Sequence, residues 1–272
     1  MNFLSFDIED WFHLLNIKNY KNEDDWIKLE SRVCMNTLFI LDELDYNKNK
    51  AIFFCLGWVA SNFPDLIKEI KNRGHIIGTH SYSHKLIYQN SQYEFEKDLI
   101  KSLNQISKII NDEIIFYRAP GFSLKEDNFW AFDILRKNGI KYDSSIFPGL
   151  RFHGGINKMD INKPFQIDTN YGSIIEFPIS YNKIFFNKIF YSGGGYFRLL
   201  NYNIIKRLSQ NNNYNMFYFH PRDFDYHQPR VKSNPISYFR NYVGLSNSKN
   251  KLRSLLNDLE FTIFEDKSLK YI

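Results

Sequence analysis

The sequence has only two cysteines, no strong excess of one charge, and no apolar run of the ~20 residues that a membrane-spanning helix needs. Cys34 and Cys55 lie among apolar residues, which predicts buried free thiols rather than a disulfide framework. A formal net charge of +5 with 24% charged residues does not indicate a nucleic-acid-binding protein. The N-terminal residues lack the basic and apolar segments of a signal peptide. We therefore expect a cytoplasmic protein, with weak attachment to the inner membrane as an alternative.

The chain has enough apolar residues for one large domain. Its 272 residues are 43% hydrophobic and 18% aromatic. Apolar segments and amphipathic segments alternate from residue 3 to residue 145. The predicted strands are 3–8, 51–56, 75–78, 114–117 and 140–143, and the predicted helices are 26–44, 64–74 with Asn62 as its cap, 92–110 and 127–138. This alternation predicts a parallel sheet with helical crossovers.

The pattern changes between residues 146 and 196, where aromatic residues and short alternating runs predict a strand-rich insertion. Gly193, Gly194 and Gly195 predict a flexible turn, and the Lys and Ser/Thr of a phosphate-binding loop do not follow them. The remaining predicted elements are helices at 200–211 and 248–258 and strands at 215–219 and 261–265. With no repeat and no long linker, the chain reads as a single domain with a C-terminal extension.

Two histidines follow the predicted strand at 75–78. His80 and His84 are four residues apart, and on a helix this spacing places both imidazoles on one face, where they can bind one zinc-like ion. Taken alone, the pair fits two solvated or core histidines equally well. Their position at the carboxyl end of a strand, where α/β barrels carry their active sites, favours a functional role.

Three carboxylates follow the first predicted strand. Asp7, Glu9 and Asp10 lie within four residues, so their charges repel one another unless a cation offsets them. A solvated acidic turn is one interpretation of this segment. Beside a histidine pair, a metal site is the stronger interpretation, with one carboxylate as a ligand and another as a general base.

Six motifs in this order carry a resemblance to a known family. SFDIED, AIFFCLG, GTHSYSH, YRAPGFS, YDSS and FYFHP resemble the polysaccharide deacetylases of carbohydrate esterase family 4, the NodB-homology domain. SGGGYFRLL, HPRDFDYHQPR and RNYVGLSNSKNKLRSLLNDLEF resemble the branch found with bacterial exopolysaccharide and exosortase gene clusters. The resemblance implies an α/β fold, a distorted (β/α) barrel, with the insertion at about 146–196. It also implies a catalytic domain at 1–225 and a C-terminal extension at 226–272 packed on it.

The resemblance implies metal-dependent hydrolysis of an N-acyl group, most simply acetyl, from an amino sugar. The substrate would be a bacterial surface polysaccharide, such as an exopolysaccharide, O-antigen or capsule, or its lipid-linked precursor. One divalent ion is expected, zinc in the first place, with cobalt or nickel as alternatives. An amidohydrolase acting on a small non-glycan amide and a non-catalytic glycan-binding protein stay open as alternatives. The sequence does not indicate an oligomeric state.

The resemblance also assigns the metal ligands. His80 and His84 match the two histidine ligands of the family. Asp10 is the expected third ligand because of the Glu-Asp-Trp pattern of this branch, and Glu9 is the alternative. A metal held by two histidines and one carboxylate keeps positions for water and for the substrate carbonyl.

Three further residues match the catalytic groups of the family. Asp7 matches the general base, Arg118 matches the arginine that orients the base, and His220 matches the histidine that acts as general acid. A surface salt bridge for Arg118 and a capped strand end for His220 are the structural alternatives. General acid–base assistance of this kind contributes about 10²–10⁴-fold to a rate.

Weaker candidates for substrate contacts complete the predicted site. They are Trp11, Pro120, Phe122, Tyr142, Asp143 and Arg222. The aromatic side chains could stack on a sugar, although packing is the more common role for an aromatic residue. A backbone N–H near Tyr142 or Asp143 could bind the oxyanion, and Asp143 could instead orient His220 or cap a turn. Arg222 stands where relatives often carry tryptophan, which would favour an acidic sugar.

Overall fold

The computed structural model describes residues 1–16, 20, 22–185 and 187–262. The chain forms two compact units: Met1–Ala51 with Tyr181–Thr262, and a second unit that contains Ile52–Ser180. The predicted domain boundary at residue 225 stays a prediction.

Helices and short strands alternate through the described residues. The strands are β1 (Asn2–Ile8), β2 (Ile52–Cys55), β3 (Ile76–Thr79), β4 (Phe116–Tyr117), β5 (Tyr142–Asp143), β6 (Phe165–Thr169), β7 (Gly172–Glu176), β8 (Tyr181–Ile184), β9 (Asn187–Phe190) and β10 (Asn215–Phe219). The α-helices are α1 (Glu23–Trp26), α2 (Val33–Tyr46), α3 (Gly57–Asn62), α4 (Pro64–Asn72), α5 (Gln92–Ile110), α6 (Trp130–Lys137), α7 (Gly194–Leu199), α8 (Tyr202–Gln210), α9 (Pro235–Tyr242) and α10 (Ser248–Asp258).

The first unit contains a parallel pair of strands, β1 and β10, in which Phe6 lies opposite Phe219. Every residue of β10 is buried, as is every residue of β1 after its first, which explains their near-continuous apolar sequences. Because the strands are parallel, the residues that follow them, Asp7 to Asp10 and His220, lie at the same edge. The strands β8 and β9 form an antiparallel hairpin in this unit.

The second unit contains the parallel strands β2, β3, β4, β5 and β7, in that order, with β6 antiparallel beyond β7. Helices α5 and α6 contribute Phe95, Leu99, Phe132 and Leu135 to a core that includes Ile174 of β7. Burial of such side chains stabilises the sheet by about 1.5–3 kcal/mol for each large residue. The strand-rich character predicted for 146–196 is confirmed.

Several predicted elements have their expected bounds, namely the helices at 92–110 and 248–258 and the strand at 215–219. The prediction of one helix at 26–44 is wrong, because α1 ends at Trp26 and α2 begins at Val33. Asn62 is the last residue of α3 rather than the cap of the next helix, and its side chain donates to the Trp58 carbonyl. Helices α3 and α9 have no counterpart in the sequence prediction. Residues 263–265 of the strand predicted at 261–265 lie outside the described residues.

The prediction of a flexible turn at the three glycines is also wrong, since Gly194 begins helix α7. A Cβ atom on Gly194 would lie 2.1 Å from Oδ2 of Asp223, and one on Gly193 would lie 2.2 Å from the Tyr218 ring. These glycines therefore allow a close approach of the backbone to neighbouring side chains.

Both cysteines are free thiols, with Cys55 buried and Cys34 partly buried. Within the described part of the chain, no helix is long and apolar enough to cross a membrane.

Candidate active site

The three N-terminal carboxylates are buried at the end of β1 in the first unit. Asp7, Glu9 and Asp10 are only 1%, 5% and 2% exposed, so the interpretation of this segment as a solvated acidic turn is wrong. Buried carboxylates need hydrogen bonds or opposite charge to compensate for their loss of water. The partners of the three side chains therefore decide their roles.

Asp10 uses both carboxylate oxygens to organise the chain around it. Its Oδ1 accepts a hydrogen bond from the Trp11 amide at 2.8 Å. Its Oδ2 accepts from the Ser31 hydroxyl at 2.6 Å and from the amides of Arg32 at 2.9 Å and Val33 at 3.1 Å. Burial raises the pKa of Asp10, although these hydrogen bonds lower it. Asp10 thus caps the start of α2, which argues against the predicted role of this side chain as the third metal ligand and favours Glu9.

His220 follows β10 in the same unit and faces the other two carboxylates. Its Nε2 lies 3.4 Å from Oε1 of Glu9 and 3.8 Å from Oδ2 of Asp7. Its Nδ1 lies 3.0 Å from Oδ2 of Asp223, and because a carboxylate only accepts, Nδ1 carries a proton. Burial by itself lowers the pKa of His220, but the hydrogen bond and charge of Asp223, together with Glu9 and Asp7, more than offset it and raise the pKa.

Asp223 was not among the predicted site residues. Arg198 donates from Nε to Oδ1 of Asp223 at 3.0 Å, and Arg222 lies 3.9 Å away. Burial alone would raise the pKa of Asp223, but the charge of Arg198 and the bond to His220 hold it well below its usual range. An acidic residue three positions after His220 was the signal in the sequence.

The histidine pair lies in the second unit, on a loop after β3. His80 Nδ1 donates to the Arg118 carbonyl at 2.8 Å, so the lone pair of this imidazole is on Nε2. Such a bond to the other ring nitrogen is typical of histidines that bind metals. The ring centres of His80 and His84 are 5.3 Å apart. The segment from His80 to His84 is not helical: Ser81 (φ +64°) and His84 (φ +56°) have left-handed backbones, and these bring the rings together.

Asp98 of α5 holds the histidine loop in place. Its Oδ2 accepts from the Tyr82 amide at 2.7 Å, and its Oδ1 accepts from the Ser83 amide at 3.1 Å. Ser102, one helical turn further, donates to the Ser81 carbonyl at 3.0 Å. The sequence prediction missed Asp98 because a polar residue on an amphipathic helix carries no distinguishing signal.

Arg118 is fully buried after β4, which excludes a surface salt bridge. Its Nε donates to the Ser144 carbonyl at 3.0 Å, and its Nη2 donates to the Ser144 hydroxyl at 2.8 Å. The guanidinium carbon lies 4.2 Å from the centre of the Phe54 ring. Its predicted role towards Asp7 stays a prediction.

Asp143 pairs with a second buried acid, Glu176, its register partner on the adjacent strand β7. Oxygens of Asp143 accept from the hydroxyl of Ser145 at 2.7 Å and from its amide at 3.0 Å. Oε1 of Glu176 accepts from the Ile146 amide at 2.9 Å. Burial and the charge of Asp143 raise the pKa of Glu176 well above its usual range, and burial also raises the pKa of Asp143. We therefore expect the pair to share one proton, and its hydrogen bonds fix the segment that carries Ser144.

Replacement of Glu176 by glutamine should flatten the pH dependence of stability. A carboxyl whose pKa is raised by folding contributes stability that is fully present below its unfolded pKa and is lost as the pH rises through the folded pKa. For the wild type we expect unfolding free energy to fall above about pH 4.5, with Glu176 supplying up to about 1.4 kcal/mol per pH unit. Glutamine can still donate to Asp143 and accept from Ile146, so Glu176→Gln removes this slope.

Urea denaturation between pH 5 and pH 8.5 measures the slope. Glu113→Gln, a change at an exposed carboxylate, is the control and should leave the slope unchanged. Equal slopes for the wild type and Glu176→Gln would show that the pair shares no proton.

The residues predicted to bind substrate are mostly engaged in packing. Trp11 is 5% exposed and donates to the Glu30 carbonyl, and Pro120, Phe122 and Tyr142 are buried. The Tyr142 amide donates to the Ile115 carbonyl, so it is not an oxyanion donor. The guanidinium of Arg222 is also buried.

Arg222 contacts protein groups rather than solvent. Its Nε donates to the Gln228 side chain at 3.0 Å and its Nη2 donates to the Asn241 carbonyl at 3.0 Å. Burial lowers the pKa of Arg222 to about 10, so the side chain stays charged at neutral pH. These contacts argue against the predicted contact of Arg222 with an acidic sugar.

Glu9, His80 and His84 are buried, and each side chain can offer one ligand atom to a metal ion. Two imidazoles and one carboxylate are a common donor set of catalytic zinc sites.

Comparison with known proteins supports the motif resemblance. Residues 31–142 match the family model described as polysaccharide deacetylase, and residues 144–268 match a domain of unknown function, DUF3473. A peptidoglycan-N-acetylglucosamine deacetylase of Bacillus cereus is 32% identical over 129 residues, which cover 40% of this chain and 47% of that protein. The peptidoglycan-N-acetylmuramic acid deacetylase PdaA of Bacillus subtilis is 28% identical over 81 residues, which cover 30% of this chain and 31% of that protein. The chain thus spans less than half the length of these relatives.

Solved structures show the fold. A protein of Mycobacterium smegmatis described as a candidate polysaccharide deacetylase superposes with a TM-score of 0.59 and 17% identity, over 97% of this chain and 93% of that chain. A family 4 carbohydrate esterase of Streptomyces lividans, in complex with acetate, superposes with a TM-score of 0.52 and 11% identity. The superposition covers 98% of this chain and 94% of that chain. The fold is therefore the α/β barrel of the family 4 carbohydrate esterases, as predicted. The match to the polysaccharide deacetylase model lies within residues 31–142, which contain His80, His84 and Arg118.

Proposed function

We propose that this protein is a metal-dependent hydrolase that removes an acetyl group from the nitrogen of an amino sugar. The observation that carries the proposal is the position of His220, whose Nε2 lies within 3.8 Å of both Asp7 and Glu9. A carboxylate base and a histidine acid side by side are what cleavage of an amide requires, since water must lose a proton and the amine must gain one.

The proposed substrate is a glycan of the bacterial surface or its precursor. The matched relatives act, by their names, on N-acetylglucosamine and N-acetylmuramic acid of peptidoglycan. The SGGGYFRLL and HPRDFDYHQPR motifs support an exopolysaccharide, O-antigen or capsule instead. An N-acetylated hexosamine is common to these substrates.

The donor set fits one divalent ion, which we propose to be zinc with cobalt or nickel as substitutes. Glu9, His80 and His84 would hold it, and the bond from His80 Nδ1 to the Arg118 carbonyl presents Nε2 as the donor atom. When bound, the ion lowers the pKa of a water molecule and polarises the acyl carbonyl.

The residues of the chain supply the proton transfers. Asp7 accepts a proton from the attacking water. His220 donates the proton on Nε2 to the nitrogen of the departing amine and keeps the proton on Nδ1 through Asp223. Burial of Asp7 and Asp223 keeps bulk water away and strengthens both electrostatic interactions.

The test is acetate release by the purified, zinc-loaded protein from N-acetylglucosamine oligomers, peptidoglycan and N-acetylated exopolysaccharide. We expect turnover on at least one glycan and a loss of about 10²–10⁴-fold for Asp7→Asn, as expected for removal of a general base. Turnover confined to small amides such as acetamide would favour the non-glycan amidohydrolase. Glycan binding without acetate release by the zinc-, cobalt- and nickel-loaded forms would favour a binding protein.

A further inference from the structure

The segment that matches a domain of unknown function surrounds Asp223 with buried positive charge. Arg198 and Arg222 are each 4% exposed, Asp223 is 1% exposed, and Lys251 is 8% exposed. Buried charges of this kind are costly unless they are paired and hydrogen-bonded. Such a network adds little to the stability of the fold, so its arrangement around Asp223 points to another role.

Asp223 divides its two oxygens between separate partners. Oδ2 accepts from the His220 amide at 2.9 Å and from His220 Nδ1 at 3.0 Å. Oδ1 accepts from Arg198 Nε at 3.0 Å. The side chain is thus fixed on both sides, and the His220 ring is held through a single hydrogen bond at Nδ1.

Arg198 is itself anchored to backbone carbonyls at the C-terminal end of α9. Its Nη1 donates to the carbonyls of Asn241 at 3.2 Å and Val243 at 2.7 Å, and its Nη2 donates to the Arg240 carbonyl at 3.1 Å. Lys251 donates to the Phe197, Arg198 and Leu200 carbonyls at 3.2, 2.8 and 2.6 Å, which caps the C-terminal end of α7. The backbone of α7 is therefore fixed where Arg198 emerges.

Glycine at position 194 completes the arrangement. A Cβ atom there would lie 2.1 Å from Oδ2 and 2.7 Å from the carboxyl carbon of Asp223. Helix α7 can therefore begin against the carboxylate only if its first residue has no side chain. Three motifs that are far apart in the sequence thus act together to position the Asp223 carboxylate, namely SGGGYFR, HPRD and RNYVG.

We propose that Asp223, held by Arg198, is the residue that positions His220 for proton donation. The inference rests on the proposed deacetylase function and assigns a role to the segment of unknown function. The bond to Asp223 keeps one proton on Nδ1, so Nε2 is the atom that faces Glu9 and Asp7 and exchanges the second proton. As the amide C–N bond breaks, that proton passes from Nε2 to the amine, and the proton that Asp7 took from water replaces it.

The sequence left two roles open for Asp143, orienting His220 or capping a turn. Its carboxylate accepts two hydrogen bonds from Ser145 and shares another with the Glu176 side chain, all within the second unit. Asp223 therefore replaces Asp143 in this role. An aspartate that orients a histidine is a positioning residue, and its loss acts on proton transfer rather than on binding.

The test compares two acetyl substrates in Asp223→Asn. The amine of an N-acetyl sugar must be protonated to leave, whereas 4-nitrophenolate leaves from 4-nitrophenyl acetate without a proton. We expect kcat on the glycan to fall about 10²-fold with KM within about twofold, and turnover of the ester to stay within about threefold. Metal content should not change.

Asp225→Asn is the matched control. Asp225 is also buried and accepts from Arg32 and Asn36, so its loss removes a comparable pair of charged hydrogen bonds two residues away. We expect Asp225→Asn to lower the melting temperature and to change turnover of the amide and of the ester by the same factor. Equal losses on amide and ester in Asp223→Asn, or no loss on either, would overturn the proposal.

A double-mutant cycle and an NMR measurement distinguish a failure of the proposed deacetylase function from a failure of the positioning role of Asp223. If Asp223 acts through His220, then Asp223→Asn should cost little more once His220→Gln is present. Nitrogen-15 NMR of the His220 ring should show a proton on Nδ1 in the wild type and loss of this tautomer in Asp223→Asn. A wild type without deacetylase activity but with this tautomer change would refute the proposed function alone. An active wild type whose tautomer and amide turnover survive Asp223→Asn would refute the positioning role alone.

Discussion

Replacing His80 by alanine is expected to remove the bound metal and at least about 10³-fold of the proposed deacetylase activity, because one of the three proposed protein ligands is lost. His80 is 2% exposed, and its Nδ1 bond to the Arg118 carbonyl leaves Nε2 as the donor atom. Alanine supplies no ligand and removes this fixed orientation. Elemental analysis after dialysis, together with acetate release, measures both effects.

His75→Ala provides a matched control for this experiment. His75 is also a buried histidine, 4% exposed, and it precedes β3 whereas His80 follows it. Its ring packs 4.9 Å from Phe53. We expect His75→Ala to lower stability by about 1–3 kcal/mol and to keep the metal. Full metal content in His80→Ala would exclude the proposed centre, and metal loss in both variants would indicate general unfolding.

The second large effect separates two adjacent carboxylates. Glu9→Gln is expected to weaken metal binding by at least about 100-fold, since loss of even an outer partner of a metal ligand can cost this much. Asp10→Asn is expected to keep the metal and to destabilise the fold by about 1–3 kcal/mol. The difference arises because Asp10 accepts four hydrogen bonds at the start of α2, and asparagine has only one accepting oxygen.

Metal titration and thermal melting of the two variants, run in parallel, measure this difference. Loss of metal in Asp10→Asn with retention in Glu9→Gln would restore Asp10 as the third ligand. Because the two substitutions are chemically equivalent and adjacent in sequence, each serves as the control for the other.

The sequence by itself determined the alternation of strands and helices and the residues at the strand ends. Apolar strands joined by amphipathic helices form parallel pairs, and parallel strands place their carboxyl ends at one edge. The strand-end positions therefore indicated Asp7, His80, Arg118 and His220 as candidate site residues. These candidates could be named because ionisable residues directly after apolar strands are uncommon, and their proposed roles came from the family resemblance.

Only the tertiary structure decided the roles of residues with the same chemistry. Asp10 became a cap because Ser31 and Val33 return to it after about twenty residues of intervening chain. Asp143 became half of an acid pair because β7 places Glu176 in register beside it. These contacts join residues that no local pattern links.

Backbone conformation was equally hidden in the sequence. The His80–His84 spacing matched a helix, but two left-handed residues form a loop that Asp98 holds from α5. Gly194 matched a flexible turn, but it begins a helix against Asp223. A local pattern reports the preferences of a few residues, whereas a carboxylate takes its role from the donors that folding brings to it.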